Sequence, residues 1–248
     1  MRQTRTIMSM TVQVEIVDEN ASDEVFKKVF SFLEGVDEQF STFKNDSEIS
    51  KINRGEIKDA EYSNGMKEIF ELAEITKKDT NGYFDIIAPG GKYDPLGIVK
   101  GWAIHEAALI LKKEGYKNFF VDISGDIEVS GTNKGEKWKV GIRNPFNFDE
   151  IIKVVGLENG KGLATSGNYM NGNHIYNPVN KNQGINDIVS LTVIGPNALE
   201  ADRFATPAFA MGRDGINFIE NLPGFEGYMI DKEGYATMTS NFEKYVIS

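Results

Sequence analysis

Asp202 and Thr206 stand four apart in the run Asp202-Arg-Phe-Ala-Thr206. On a helix that spacing brings both side chains to one face. A carboxylate and a hydroxyl are hard oxygen donors of the kind Mg²⁺ takes, and Mg²⁺ usually asks for only one or two carboxylates besides substrate phosphates. The spacing equally suits an acidic residue early in a helix, interacting with the helix dipole beside a packed threonine. A second run, Asp94-Pro-Leu-Gly-Ile-Val-Lys100-Gly101, leads into a helix. A glycine-bearing turn there presents free N–H groups to an anion, with Lys100 as a point charge. The plain alternative is a turn and a helix cap. Neither a G-x-x-x-x-G-K-[ST] loop nor a G-x-G-x-x-G fingerprint occurs in the chain.

Two further groups carry reactive or ring-binding types. Ala164-Thr-Ser-Gly-Asn-Tyr169 precedes His174-Ile-Tyr-Asn-Pro178, and His174 is one of only 2 histidines. A Ser166/His174 hydrolase pair lacks both the G-x-S-x-G elbow and a marked third member. His105, beside Glu106, reads as a solvated or packed side chain. Gly82-Tyr-Phe-Asp85, with Phe43 and Met8 upstream, offers flat aromatic and soft apolar surface that suits a flavin or adenine ring, or equally a core.

Composition limits what these residues could serve. The chain has 248 residues, 40% apolar and 26% charged, as expected of a globular protein large enough for a sizeable core. It has no cysteine, which removes disulfides, thiolate metal sites and a cysteine nucleophile. Net charge is −10 and no Lys/Arg cluster stands out, so neither nucleic acid nor an anionic membrane surface is expected as a partner. An acidic protein that binds a phosphate needs a divalent cation, backbone N–H groups or a placed lysine. Apolar runs such as Phe119-Phe120-Val121 are too short to span a bilayer, and residues 1–8 lack an apolar signal core. Without membrane insertion or an export signal, the expected location is the cytoplasm.

The elements that must position these residues follow from periodicity. Alternation over 11–17 predicts a half-buried strand. Ser22 starts a helix to about Phe43, with Val25, Val29, Phe32, Leu33, Val36 and Phe40 on one face. Ser63 or Asn64 starts a second, striped by Met66, Ile69, Phe70, Ala73 and Ile75. A Gly/Pro/Asp-dense stretch fills 81–101, and a third helix is predicted from about Trp102 to Glu114. Segments 118–123, 126–130, 137–142 and 151–157 read as a strand meander. A Gly/Asn-rich loop spans 166–182. Strand 188–194 then feeds a helix over 198–211, followed by a short helix at 216–222 and strands at 225–230 and 235–238. The fold class is α+β: mixed, largely antiparallel sheets with packed helices, a single unit over 1–248 with two lobes meeting at the two irregular loops.

Taken in order, these segments resemble the ApbE family of FAD:protein FMN transferases. Met8-Ser9-Met10-Thr11 is similar to the family's Met-Gly-Thr start. Ser41-Thr-Phe43, Asp46-Ser-Glu-Ile49 and Asn53 match its Ser-Thr-Tyr/Phe…Asp-Ser-Glu-Ile…Asn block. Gly82-Tyr-Phe-Asp-Ile86 matches Gly-x-Phe-Asp-Ile, and Asp94–Gly101 is similar to Asp-Leu-Gly-x-Ile-Ala-Lys-Gly. Ser124-Gly-Asp-Ile127 and Trp138–Pro145 follow. Thr165–Gly167, His174–Pro178 and Ala201–Thr206 stand for Thr-Ser-Gly, His-Ile-x-Asp-Pro and Ala-Asp-x-x-x-Thr. The set spans nearly the whole chain. Departures are Pro95 after Asp94, Val99 for a small residue, Asn177 for Asp, and Pro207 inside the last helix.

The resemblance implies a two-lobed fold around a central flavin cleft. It also implies Mg²⁺ held by Asp202, Thr206 and the Gly97 backbone oxygen, and contacts to FAD from Met8, Phe43, Tyr83, Phe84, Asp85, Asp94, Lys100, Thr165 and Ile175. The implied reaction moves the FMN part of FAD onto a Thr or Ser hydroxyl of an acceptor flavoprotein and releases AMP, with His174 and Asp202 as candidate bases. The family's acceptor pattern is absent from the chain, so the acceptor is expected to be a separate protein. Alternatives on the same site are Mg²⁺-dependent hydrolysis of FAD to FMN and AMP, and flavin binding without catalysis.

Overall fold

A computed structural model describes residues 1–168, 175–180 and 184–247. An eight-stranded sheet of order β1-β2-β3-β4-β7-β8-β9-β10 runs through the molecule, and every neighbouring pair in it is antiparallel. Its strands are β1 (Arg2–Ile7), β2 (Met10–Ile16), β3 (Phe119–Ile123), β4 (Asp126–Ser130), β7 (Gly162–Gly167), β8 (Ile188–Gly195), β9 (Glu226–Asp231) and β10 (Ala236–Met238). Strands β5 (Trp138–Asn144) and β6 (Asn147–Leu157) leave it to form a separate hairpin sheet. The helices are α1 (Asp23–Phe40), α2 (Glu48–Asn53), α3 (Asn64–Asp79), α4 (Leu96–Lys113), α5 (Ala198–Ala210) and α6 (Gly215–Glu220).

Alternation along the strands separates the layers. Ala164, Leu191, Val193 and Met229 face α5 and α6, while Leu163, Ile194, Tyr228 and Ile230 face the opposite way. There they meet Trp138, Val140, Ile142, Val155 and Leu157 of the β5–β6 hairpin, with Phe242 from the C-terminal turn. A third cluster packs Val12, Val14, Phe119, Val121 and Ile123 against α1, α3 and α4 through Phe26, Phe30, Leu33, Ile69 and Ile104. The order is therefore helices, large sheet, small hairpin. Among the described residues no helix is long and apolar enough to cross a membrane.

The expected α+β class, with largely antiparallel sheets and packed helices, is the observed one. Four expectations need correction. Helix α4 begins at Leu96 rather than near Trp102, because Pro95 sits at its N-cap and Leu96, Ile98 and Val99 join the apolar run. Gly97 and Lys100 thus lie within the helix rather than on a turn before it. The four-strand meander is two hairpins, β3–β4 in the large sheet and β5–β6 outside it. Strand β7 occupies 162–167, so Ser166 and Gly167, expected in a loop, are paired with β8. Helix α1 stops at Phe40, and Ser22, although at its N-cap, makes no side-chain cap bond. Ser63 does cap α3, accepting from the Met66 N–H.

Candidate functional site

Helices α4 and α5 approach so closely that glycine is required at the contact. A Cβ on Gly101 would lie 2.5 Å from Asp202 Cβ and 2.7 Å from the Ala198 carbonyl oxygen. One turn earlier, a Cβ on Gly97 would lie 3.2 Å from Phe84 Cε2, 3.5 Å from Thr206 Cγ2 and 3.8 Å from Thr206 Oγ1. Gly97 and Gly101 therefore face Asp202 and Thr206 across the helix pair, as i, i+4 neighbours on each side. The Gly101 N–H donates to Asp202 Oδ2 at 2.7 Å. In a regular helix that donor belongs to the carbonyl four residues back, here Gly97. That carbonyl oxygen is the one that the resemblance assigns to metal.

Asp202 is 4% exposed. Burial first, and then the nearby Asp126 charge, push its carboxyl up to about 7, against pulls from Lys100 and the Gly101 hydrogen bond. A carboxylate held in so dry a place favours a compensating cation. Thr206 Oγ1 is 3.2 Å from Ser166 Oγ on β7. Among the described residues there is no cluster of three or more His, Asp or Glu that could hold a metal. The available donors are instead one carboxylate, one hydroxyl and one backbone carbonyl, all oxygen. That set suits Mg²⁺ completed by phosphate and water better than a metal needing a full protein cage.

Around this pair the residues sort as follows. Lys100 Nζ is 2.6 Å from Asp126 Oδ2. Thr165 donates its N–H to Asp126 Oδ1 at 3.0 Å, and its hydroxyl lies 2.8 Å from Thr192 Oγ1. Phe84 is buried against Gly97, its N–H donating to Thr80 Oγ1 at 3.2 Å. Asp85 pairs with Lys77 at 2.9 Å and accepts from the Ile87 N–H, which fixes the segment after Tyr83. Asp94 Oδ1 accepts from the Leu96 N–H at 3.1 Å and helps start α4. Tyr176, next to Ile175, donates to the carbonyls of Asp85 and Ile87 at 3.2 and 3.1 Å, stitching that loop to the 84–87 segment. Ile175 itself packs against the α5–α6 core. Phe43 is 88% exposed and so is not core. Met8 lies in the β1–β2 turn at φ 56° with Ser9 at φ 57°, a conformation glycine takes more easily. His174 lies outside the described residues.

Asn177 Oδ1 accepts from the Val179 and Asn180 N–H groups, a turn-closing role open to Asn and Asp alike. Pro207 leaves α5 helical as far as Ala210.

Two supporting groups, Glu128 and Arg203, were missed in the sequence, and a third, Asn53, was read only as part of the family block. Glu128 on β4 is fully buried and takes His105 Nδ1 at 2.9 Å, Lys112 Nζ at 3.2 Å and the Ala198 N–H at 3.1 Å. It ties α4 to the first residue of α5. Arg203 joins α5 to α3 through Asp79 at 3.1 Å, with Glu200 at 3.0 Å. Asn53 brackets Tyr93 through both its N–H and its carbonyl, just before Asp94. Only the short-range Glu200–Arg203 pair had a sequence signal, its i, i+3 spacing. A cavity of about 290 Å³, lined by Lys137, Glu158, Lys161, Lys244 and Tyr245, lies against the β5–β6 hairpin and includes none of the site residues.

The chain is similar to known proteins in sequence and in fold. The FAD:protein FMN transferase of Escherichia coli K12 is 30% identical over 161 residues, covering 60% of this chain and 46% of that protein. The chain thus spans about half the length of the curated relatives it matches at that level. The enzyme of the same name from Haemophilus influenzae is 23% identical, with 94% of this chain and 88% of that one covered. In fold, the flavin transferase ApbE from Vibrio cholerae superposes with a TM-score of 0.84 at 22% identity over 99% of this chain and 98% of that one. The ApbE protein of Thermotoga maritima reaches 0.88 at 20% identity, over 100% and 99%. The ApbE family profile matches residues 8–91 and 88–229. With a profile match over most of its length, the chain belongs to the ApbE family.

Proposed function

We propose that this protein is a Mg²⁺-dependent FAD:protein FMN transferase, which moves the FMN part of FAD onto a Ser or Thr hydroxyl of a separate acceptor flavoprotein. The observation that carries the reading is the meeting of Asp202 with Gly101 and of Thr206 with Gly97 across the α4–α5 pair, with the Lys100 charge on the same helix. The name borne by the curated relatives supports it.

Asp202, Thr206 and the Gly97 carbonyl are the residues that hold the cation. Bound there, Mg²⁺ supplies the positive charge that a pyrophosphate needs as its bridging bond breaks. Lys100 adds a cation toward the phosphates. Phe43 offers an exposed ring face, and Met8, Tyr83, Phe84, Asp85, Asp94, Thr165 and Ile175 complete the flavin contacts. The acceptor hydroxyl oxygen bonds to the phosphorus of the FMN half while the bond from that phosphorus to the bridging oxygen breaks, and AMP leaves with that oxygen. His174 or Asp202 takes the hydroxyl proton.

The test mixes the protein with FAD, Mg²⁺ and an acceptor fragment carrying Asp-x-x-Ser/Thr-Gly-Ala/Ser-Thr/Ser, followed by intact-mass analysis. The expected result is an acceptor heavier by one FMN, with AMP released. Free FMN with an unmodified acceptor would make the protein a hydrolase, and intact FAD would make it a binder. Either outcome rejects the transferase.

A further inference from the structure

Asp126, at the start of β4, is 2% exposed and contacts two parts of the site at once. Its Oδ1 accepts from Thr165, the residue before Ser166, whose hydroxyl meets Thr206. Its Oδ2 is buried and lies 2.6 Å from Lys100 Nζ. Lys100 is carried on α4 between Gly97 and Gly101. A buried carboxylate so placed acts on its surroundings strongly through charge. It acts on Lys100, which it attracts and which α4 carries between the two glycines that face Asp202 and Thr206.

We propose that Asp126 tunes the site electrostatically: paired with Lys100, it offsets that cation, and its own charge sets the balance between metal and phosphate binding. The inference rests on the transferase reading, since it presumes that the site takes both Mg²⁺ and a pyrophosphate. A purely structural Asp126, serving only to satisfy the Thr165 N–H, predicts something different. Its loss would loosen β7 and weaken both ligands together. Removal of a negative charge instead weakens cation binding and strengthens anion binding.

Asp126→Asn preserves shape and an acceptor for Thr165, so it separates the two. Mg²⁺ alone is titrated by calorimetry, and FAD is titrated in EDTA by flavin fluorescence, each against the unsubstituted protein. At pH 8.5, where Asp202 is ionised in both proteins, the expected result is Mg²⁺ affinity lowered by about tenfold or more and metal-free FAD affinity raised, the directions that loss of one nearby negative charge implies. Lys100→Met is the mirror variant, with FAD weaker and Mg²⁺ tighter, and it carries the test if Asp126→Asn does not fold. Affinities that fall together, or do not move, overturn the inference while leaving the transferase reading in place. An unsubstituted protein that binds neither ligand overturns both.

Discussion

At the scale of single residues, Asp202 has to be both buried and charged. Burial and Asp126 disfavour its carboxylate, and the Gly101 N–H and Lys100 only partly offset them. Asp202→Asn keeps an acceptor for Gly101 and removes the charge. The expected outcome is a fold at least as stable in EDTA, with Mg²⁺-dependent FMN transfer lowered by about 10²-fold or more. Calorimetric Mg²⁺ titration beside the transfer assay checks it, and Mg²⁺ affinity equal to that of the parent would refute the metal assignment. Glu128 presents the opposite case, because it holds structure and touches no expected ligand. Glu128→Ala strips the acceptor from Lys112, His105 and the Ala198 N–H together. Both side-chain partners, Lys112 and His105, keep some contact with solvent, with side chains 37% and 19% exposed, so the cost falls below that of a sealed ion pair. A loss of about 1–3 kcal/mol is expected in urea unfolding. A change under about 0.5 kcal/mol, the usual range for surface substitutions, would show that the network carries no stability.

Between elements, the α4–α5 contact decides whether a site exists. Gly101→Ala forces a methyl into Asp202 Cβ and the Ala198 carbonyl, both part of the helix pair itself, so the helices must part. The expected cost is about 1–3 kcal/mol, with weakened Mg²⁺ binding, since Asp202 moves away from Gly97. Gly35→Ala in the middle of α1 meets nothing within 4 Å and is a control, expected to stabilise by about 0.5–1 kcal/mol. Thermal unfolding and Mg²⁺ titration of the two variants test the pair. The same contact marks how far the sequence could be read. Asp202 and Thr206 were legible because i, i+4 spacing is local, and the amphipathic α1 and α3 because their stripes are. The start of α4 was not, because Pro95 and Gly97 read as loop formers, although proline near a helix start is favourable. Strand β1 escaped because its residues are polar and mostly exposed, and β7 because Gly162-Leu-Ala-Thr-Ser-Gly lacks β-branched bulk. Asp126 and Glu128 gain their roles only from partners many residues away, which no local pattern records.

For the whole molecule, the consequence of burying Asp202 is a dependence of stability on pH. In the unfolded chain its carboxyl titrates near 3.8, and in the folded protein near 7. Between those values the unfolded chain has released the proton and the folded protein still holds it, so folding takes up a proton. Stability from this group therefore falls as pH rises through the window and stays at its lower level above about 7. Mg²⁺ binds the deprotonated form, so its affinity rises over the same interval and levels off above it. The net charge of −10 works in the same direction, because self-repulsion grows as carboxylates ionise. Subtracting the Asp202→Asn curve from that of the unsubstituted protein removes this shared background. The expected difference, from melting temperatures in EDTA between pH 4.5 and 8, is a relative loss of stability in the unsubstituted protein that develops as pH approaches 7. Saturating Mg²⁺ is expected to reverse it at the alkaline end, because a ligand that binds only the folded protein stabilises by mass action. Parallel curves in EDTA would mean that Asp202 ionises as readily in the fold as out of it, and that its burial exerts no pull on a cation.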